Sequence, residues 1–382
     1  MTLRDHELAL VRSRAHAPTT DQSQLARVLQ PFWNAALRVV PDDTAPNTLT
    51  ILGSAVVVVP TVLALWTSPD LTVPLPAWLI VLQIVGIFVF QTLDALDGKQ
   101  ARRTGTSSPL GSWLDHALDV ITMQFVLIGV CASVQSGLGV AMWTMMAGTI
   151  VNNYLLHWES SHTRALILGN GTSITEAQVM AMLVHLVAMV GPATFPTAVA
   201  THVPALARLP FSNAPLGNWV LVLSVVVVGG AGALASVRRA LATDVARGES
   251  LRRLVCIVCL MAPASLAWFS ITDATARLLF GCAVLLVASQ AVGRMVLENL
   301  VQRAPATIDG PTAALVVASA VLLAMPSQAE TVAIVAIVAI VAIVAIVAAV
   351  TSVLVFFVQT TRELAAALGV RIFSLQPVAS DG

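Results

Sequence analysis

Apolar residues gather in ten stretches, each near the ~20 residues that a membrane-crossing helix needs. They run roughly over 49–68, 76–93, 116–135, 138–156, 177–197, 216–236, 253–271, 275–296, 311–326 and 332–358. The pattern predicts an all-α polytopic membrane protein with about ten transmembrane helices. Before the first span, Leu25, Val28, Leu29, Phe32, Trp33 and Leu37 recur at helical spacing within 23–40. This segment is expected to be an amphipathic helix lying on the membrane surface, broken or kinked at Pro31. Residues 1–24 are polar, carry Arg4, Arg12 and Arg14, and lack the apolar core of a secretory signal. Residues 333–347 repeat Ala-Ile-Val, a low-complexity run suited to facing lipid. Gly229, Gly230 and Gly232 are expected to allow close helix approach.

Composition agrees. Hydrophobic residues make up 57% and charged residues 10%, against about 25% charged in soluble domains. Mean hydropathy is +0.86. Net charge is zero, which excludes nucleic acid as a bulk partner. Cys131, Cys256, Cys259 and Cys282 all fall in apolar stretches. Cys256 and Cys259 spell C-x-x-C, but no second pair or nearby histidine completes a zinc site.

Charge also sets topology. With ten spans, all of the 20 Lys and Arg except Arg208 and Arg277 fall on the side of the two termini. Positive charge marks the cytosolic side, so both termini are expected there. Asn170-Gly171-Thr172 spells a glycosylation sequon, but on that side it would not meet the machinery.

The acidic residues carry the chemistry. Asp94 and Asp97 stand three apart at the end of the second span, and Asp115 and Asp119 four apart at the start of the third. On helices each pair shares one face. The turn holding Gly105, Ser107, Ser108 and Pro109 returns the chain antiparallel, so the four carboxylates are expected to converge. Such like charges near a bilayer need compensating cations, and hard divalent ions with oxygen ligands supply them. Gly98 and Gly111 leave room for a ligand, while Lys99, Arg102 and Arg103 bring positive charge. Lys99 is the only lysine in the chain, which hints at a compact ammonium beside a phosphate. Together these residues point to phosphoryl chemistry on a diphosphate.

Asp94, Asp97, Gly98, Ala101, Arg102, Gly111, Asp115 and Asp119 fit the pattern D-x2-D-G-x2-A-R-x8-G-x3-D-x3-D. It resembles the signature of the CDP-alcohol phosphotransferase family. Over roughly 25–180 the chain is similar to that family's eukaryotic choline- and ethanolaminephosphotransferase branch. The similarity lies in LQPFWN (29–34), APNTLTILG (45–53), DALDGKQARRTGTSSPLG (94–111), HWESSHT (157–163) and ITEAQ (174–178). Ser112 stands where the branch usually has Glu, and Ala117-Leu118 where it has Gly-Cys.

The resemblance implies Mg²⁺ or Mn²⁺ at Asp94, Asp97 and Asp115, with Asp119 as a further ligand or base. It implies a nucleotide site at Gly98, Ala101, Arg102 and Gly111, to which Asn47 and Lys99 are added. His116 is the other candidate base. It also implies CDP-ethanolamine or CDP-choline as donor, diacylglycerol as acceptor, CMP release, a homodimer, and an endoplasmic reticulum or Golgi membrane with the site facing the cytosol. The expected organisation is a cytosolic and interfacial segment at 1–45, a catalytic core at 46–200, further helices at 201–360 and a cytosolic tail at 361–382.

Asn152, Asn153, Tyr154, His157, Glu159, His162, Arg164 and Glu176 form a second polar island on the same side. Tyr154, Glu159 and Glu176 are the candidate readers of a cationic amine head group. Two rival functions remain at this point: a related enzyme making inositol, glycerol or serine lipids, and a transporter or scaffold whose buried acids bind a cation.

Overall fold

The computed structural model describes residues 4–13, 19–21, 23–168, 173–208, 211–243, 247–301, 310–324 and 332–374. The sequon at Asn170 lies outside them.

Two short helices precede the spans: α1 (Asp5–Ser13) and α2 (Gln24–Leu37). A helix then stands at each of the ten predicted places. These are α3 (Pro46–Thr67), α4 (Ala77–Thr104), α5 (Pro109–Ser133), α6 (Val140–Thr163) and α7 (Ile174–Val190). After the four-residue α8 (Val199–His202) come α9 (Leu216–Leu223) and α10 (Gly230–Leu241), joined by a π-helical stretch, Ser224–Gly229. The last four are α11 (Arg247–Ser270), α12 (Ala274–Val301), α13 (Gly310–Ala324) and α14 (Val332–Leu368).

Seven of these are long and apolar enough to cross a membrane; α7 and α13 are apolar but shorter, and α6 falls outside the seven. Length and composition therefore establish a polytopic helical membrane protein, and seven of the ten expected spans. One departure from all-α is a parallel ladder of two three-residue strands, β1 (Thr19–Asp21) and β2 (Leu166–Leu168).

The surface is apolar and the interior holds polar groups, as lipid requires. Trp66, Trp78 and Val190 are exposed, whereas Gln83, Gln178 and His185 are buried. Interhelix hydrogen bonds sort helix ends into two sets. Gly137 N–H donates to Leu71 O at 3.0 Å, Gln135 to Pro192 O at 3.0 Å and Arg277 to Leu138 O at 2.9 Å. At the opposite ends, Gln100 donates to Thr44 O at 2.8 Å, Arg253 to Asn299 at 2.7 Å and Asn47 to Ile372 O at 2.7 Å.

Three sequence expectations change. The α2 helix runs unbroken through Pro31, packing Trp33 against Leu49 and Leu96 while Val28 and Phe32 stay exposed. Of the glycines expected at close approaches, Gly232 meets α6, where an added Cβ would lie 3.2 Å from Asn152 Oδ1, but the tightest crossings are elsewhere. Gly86 abuts α3, where an added Cβ would lie 2.5 Å from Val56 O, and at Gly148 a Cβ would collide with Val225. Nothing crowds Gly230.

Third, α4 outruns its apolar stretch and carries Asp94 to Arg103 on regular helix. Gly105, at φ +68°, ends it, with Arg102 and Arg103 in the last turn, where cations suit the helix dipole. Ser108 then caps α5, its hydroxyl accepting from Gly111 N–H at 3.2 Å, with Pro109 in the first turn.

Candidate active site

The ends of α3, α4 and α5 meet around a cavity of about 400 Å³. Helical spacing gives the polar end of α4 two faces. Asp97, Gly98, Ala101 and Arg102 line the cavity. On the other face, Lys99 donates to Gln30 at 2.7 Å and to Asn34 at 2.8 Å, both on α2. Gln100 donates to Thr44 O, and Arg103 to Leu37 O at 2.9 Å and Val40 O at 2.8 Å. These bonds fasten α2 and the linker after it, which leads into α3 and Asn47. The structure thus turns Lys99 toward α2, in contrast to the expected nucleotide contact.

The aspartates converge. Asp94, Asp97 and Asp115 offer oxygens within 4.8 Å of one another, and Asp115, His116 and Asp119 form a second such group. Asp115 joins the two. Thr50 Oγ1 donates to Asp97 Oδ2 at 2.6 Å, and Asp115 Oδ1 is buried without a hydrogen-bond partner. Clustered carboxylates repel, and an orphaned buried oxygen is costly. A hard cation with oxygen ligands answers both, so the cluster is a donor set able to hold a metal ion. Asp115 and His116 line the cavity; His116 packs edge-on to His157, with ring centroids 5.3 Å apart.

Gly111 and Asn47 face each other across the cavity mouth. A Cβ at Gly111 would sit 3.4 Å from Asn47 Oδ1, so a larger residue would take up cavity space between them. Asn47 Nδ2 in turn donates to Ile372 O, beyond α14.

The second polar island is not brought to this cavity. Tyr154 donates to Arg253 O at 2.7 Å within the buried interior. Glu159 is buried and paired with Arg239. Glu176 accepts from Ser23 Oγ at 2.8 Å, Leu25 N–H at 3.2 Å and Ser173 N–H at 3.2 Å, and it completes a capping box with Ser173 at the start of α7. The geometry therefore assigns these three residues to packing and capping, against the head-group expectation. His157 of the island reaches His116, the neighbour of Asp115.

Sequence reasoning missed three contributors. Thr50 follows Asn47 by one helical turn, a spacing that was available. His157 was visible as a polar residue, but nothing in the sequence paired it with His116. Arg371, which also lines the cavity, lies far from the motif and has no local signal.

The fold and the site define a polytopic helical membrane protein with a carboxylate-lined cavity where three consecutive helices end. Residues 43–229 match the family model of the CDP-alcohol phosphatidyltransferases, and the chain carries a domain of that family. It is 36% identical over 160 residues to "Cholinephosphotransferase 1" of Danio rerio, covering 41% of each chain. With "Choline/ethanolaminephosphotransferase 1" of Arabidopsis thaliana it shares 34% over 196 residues, 50% of each chain. With "Cholinephosphotransferase 1" of Homo sapiens it shares 36% over 176 residues, 45% of this chain and 42% of the relative. The matches thus span half or less of these relatives' length.

Proposed function

We propose that the protein transfers phosphoethanolamine, phosphocholine or both from a CDP-alcohol to the hydroxyl of diacylglycerol, releasing CMP. The observation that carries this reading is the convergence of Asp94, Asp97, Asp115 and Asp119 beside a nucleotide-sized cavity lined by Gly98, Ala101, Arg102 and Gly111. Relatives named for choline and ethanolamine phosphotransfer support the substrate class.

In this reading Asp94, Asp97 and Asp115 hold Mg²⁺ or Mn²⁺, and Asp119 joins them or serves as base. Such a metal neutralises the diphosphate and makes CMP a better leaving group. Thr50 fixes Asp97 in one orientation by donating to one of its oxygens. Gly98 and Gly111 admit the nucleotide, and Arg102 faces its phosphates. The lipid hydroxyl attacks the phosphorus nearer the head group, the bond to CMP breaks, and the proton passes to Asp119 or His116. Those two groups stand within the same 4.8 Å cluster as Asp115.

In this reading the cavity faces the cytosol from an endoplasmic reticulum or Golgi membrane, and the sidedness of arginine supports that orientation. The test is CMP release by purified protein with diacylglycerol and Mg²⁺, offered CDP-choline and CDP-ethanolamine separately. Turnover with either supports the reading. Turnover only when a CDP-lipid donor is offered with inositol, glycerol phosphate or serine would move the protein to the rival branch.

A further inference from the structure

The segment after α14 is built into the cavity wall. Gly369, at φ +64°, ends α14. Its N–H donates to Ala366 O at 3.2 Å, and that of Val370 to Ala365 O at 3.1 Å. This is a Schellman closure, which reverses the chain's direction. The following residues alternate in role. Val370 and Ile372 pack against the cluster containing Leu110, Trp113 and Leu364. Arg371, between them, is exposed and lines the cavity. The carbonyl of Ile372 accepts from Asn47 Nδ2 at 2.7 Å, tying the segment to the start of α3.

Among the described residues Arg371 and Arg102 are the two arginines lining a cavity whose other charged walls are Asp97 and Asp115. The Lys99 ammonium is engaged with α2, so it does not serve the cavity. Among the described residues Arg371 has no ion pair. An exposed guanidinium held over a cavity by packing on both sides suits a phosphate group, which it can grip with two parallel N–H bonds.

We propose that Arg371 is a substrate-binding residue that grips the diphosphate of the CDP-alcohol together with Arg102, its backbone held in place by the closure at Gly369 and the Asn47–Ile372 bond. The assignment rests on the proposed function, since it requires a nucleotide diphosphate in this cavity. It makes the end of α14 part of a site otherwise built from α3, α4 and α5.

Equilibrium binding of radiolabelled CDP-choline and CDP-ethanolamine to purified protein tests it, with cytidine as a phosphate-free competitor. Arg371→Ala is expected to raise the Kd for both donors about tenfold, the size of one lost charge-assisted hydrogen bond. Cytidine competition and the unfolding midpoint should stay as in the wild type. Arg371→Lys should recover part of the loss, because charge returns without the fork. Wild-type protein that binds neither donor would overturn the functional reading and this assignment with it. Wild-type binding with an Arg371→Ala protein that binds equally well, or an equal loss for cytidine, would overturn the assignment alone.

Discussion

Glu176 is gripped by two helix starts at once. Ser23 and Leu25 at the head of α2 and Ser173 at the head of α7 all donate to its carboxylate. Gln keeps one acceptor oxygen and loses the charge, so Glu176→Gln should cost about 1 kcal/mol, as other cap losses do. Thermal unfolding in detergent measures this. The ratio of kcat/KM for CDP-ethanolamine to that for CDP-choline should stay unchanged. A KM rise confined to CDP-ethanolamine would return Glu176 to the head-group site. The spacing of Asp94, Asp97, Asp115 and Asp119 was legible because three and four residues make one helix face. Glu176 read as a carboxylate for the amine head group, although Ser173 and Glu176 stand at capping-box spacing. Arg371 was illegible because its position depends on where α14 ends relative to α3, a long-range property with no local trace.

At the scale of elements, hydropathy located helices well and their polar ends poorly. The apolar run of α4 stops near residue 93, yet the helix continues to Thr104. Hydropathy reports contact with lipid, and the residues past 93 instead face the cavity, α2 and the linker. The same reason starts α5 at Pro109, ahead of the expected 116. Close crossings were also hidden, since any glycine in an apolar run looks alike. Gly86 sits where α4 meets α3, and a Cβ there would approach Val56 O to 2.5 Å. Backbone cannot rotate away as a side chain can. Gly86→Val should therefore lower stability by about 1–3 kcal/mol, the usual cost of overpacking, read as a lower unfolding midpoint and reduced folded yield. An unchanged midpoint would mean that the two helices separate freely.

For the whole molecule, the alternation of helix ends and the sidedness of arginine make one claim. The four native cysteines lie within helices, so single added cysteines report topology cleanly. Ser107→Cys and Ala205→Cys should react with an impermeant thiol reagent from opposite faces of sealed vesicles, Ser107→Cys from the side of both termini. Labelling from one common face would show a miscounted span. The more central claim is that the convergent aspartates are a metal-dependent phosphotransfer site, and CMP release by wild type and Asp97→Asn, measured beside thermal unfolding, tests it most directly. The wild type should release CMP from a CDP-alcohol only with diacylglycerol and Mg²⁺ present, and lose this activity in EDTA. Asp97→Asn removes a metal-site charge while keeping an oxygen that accepts from Thr50, so it should turn over at least about a hundredfold more slowly at an unchanged unfolding midpoint. A folded Asp97→Asn protein with near-wild-type CMP release would contradict the account.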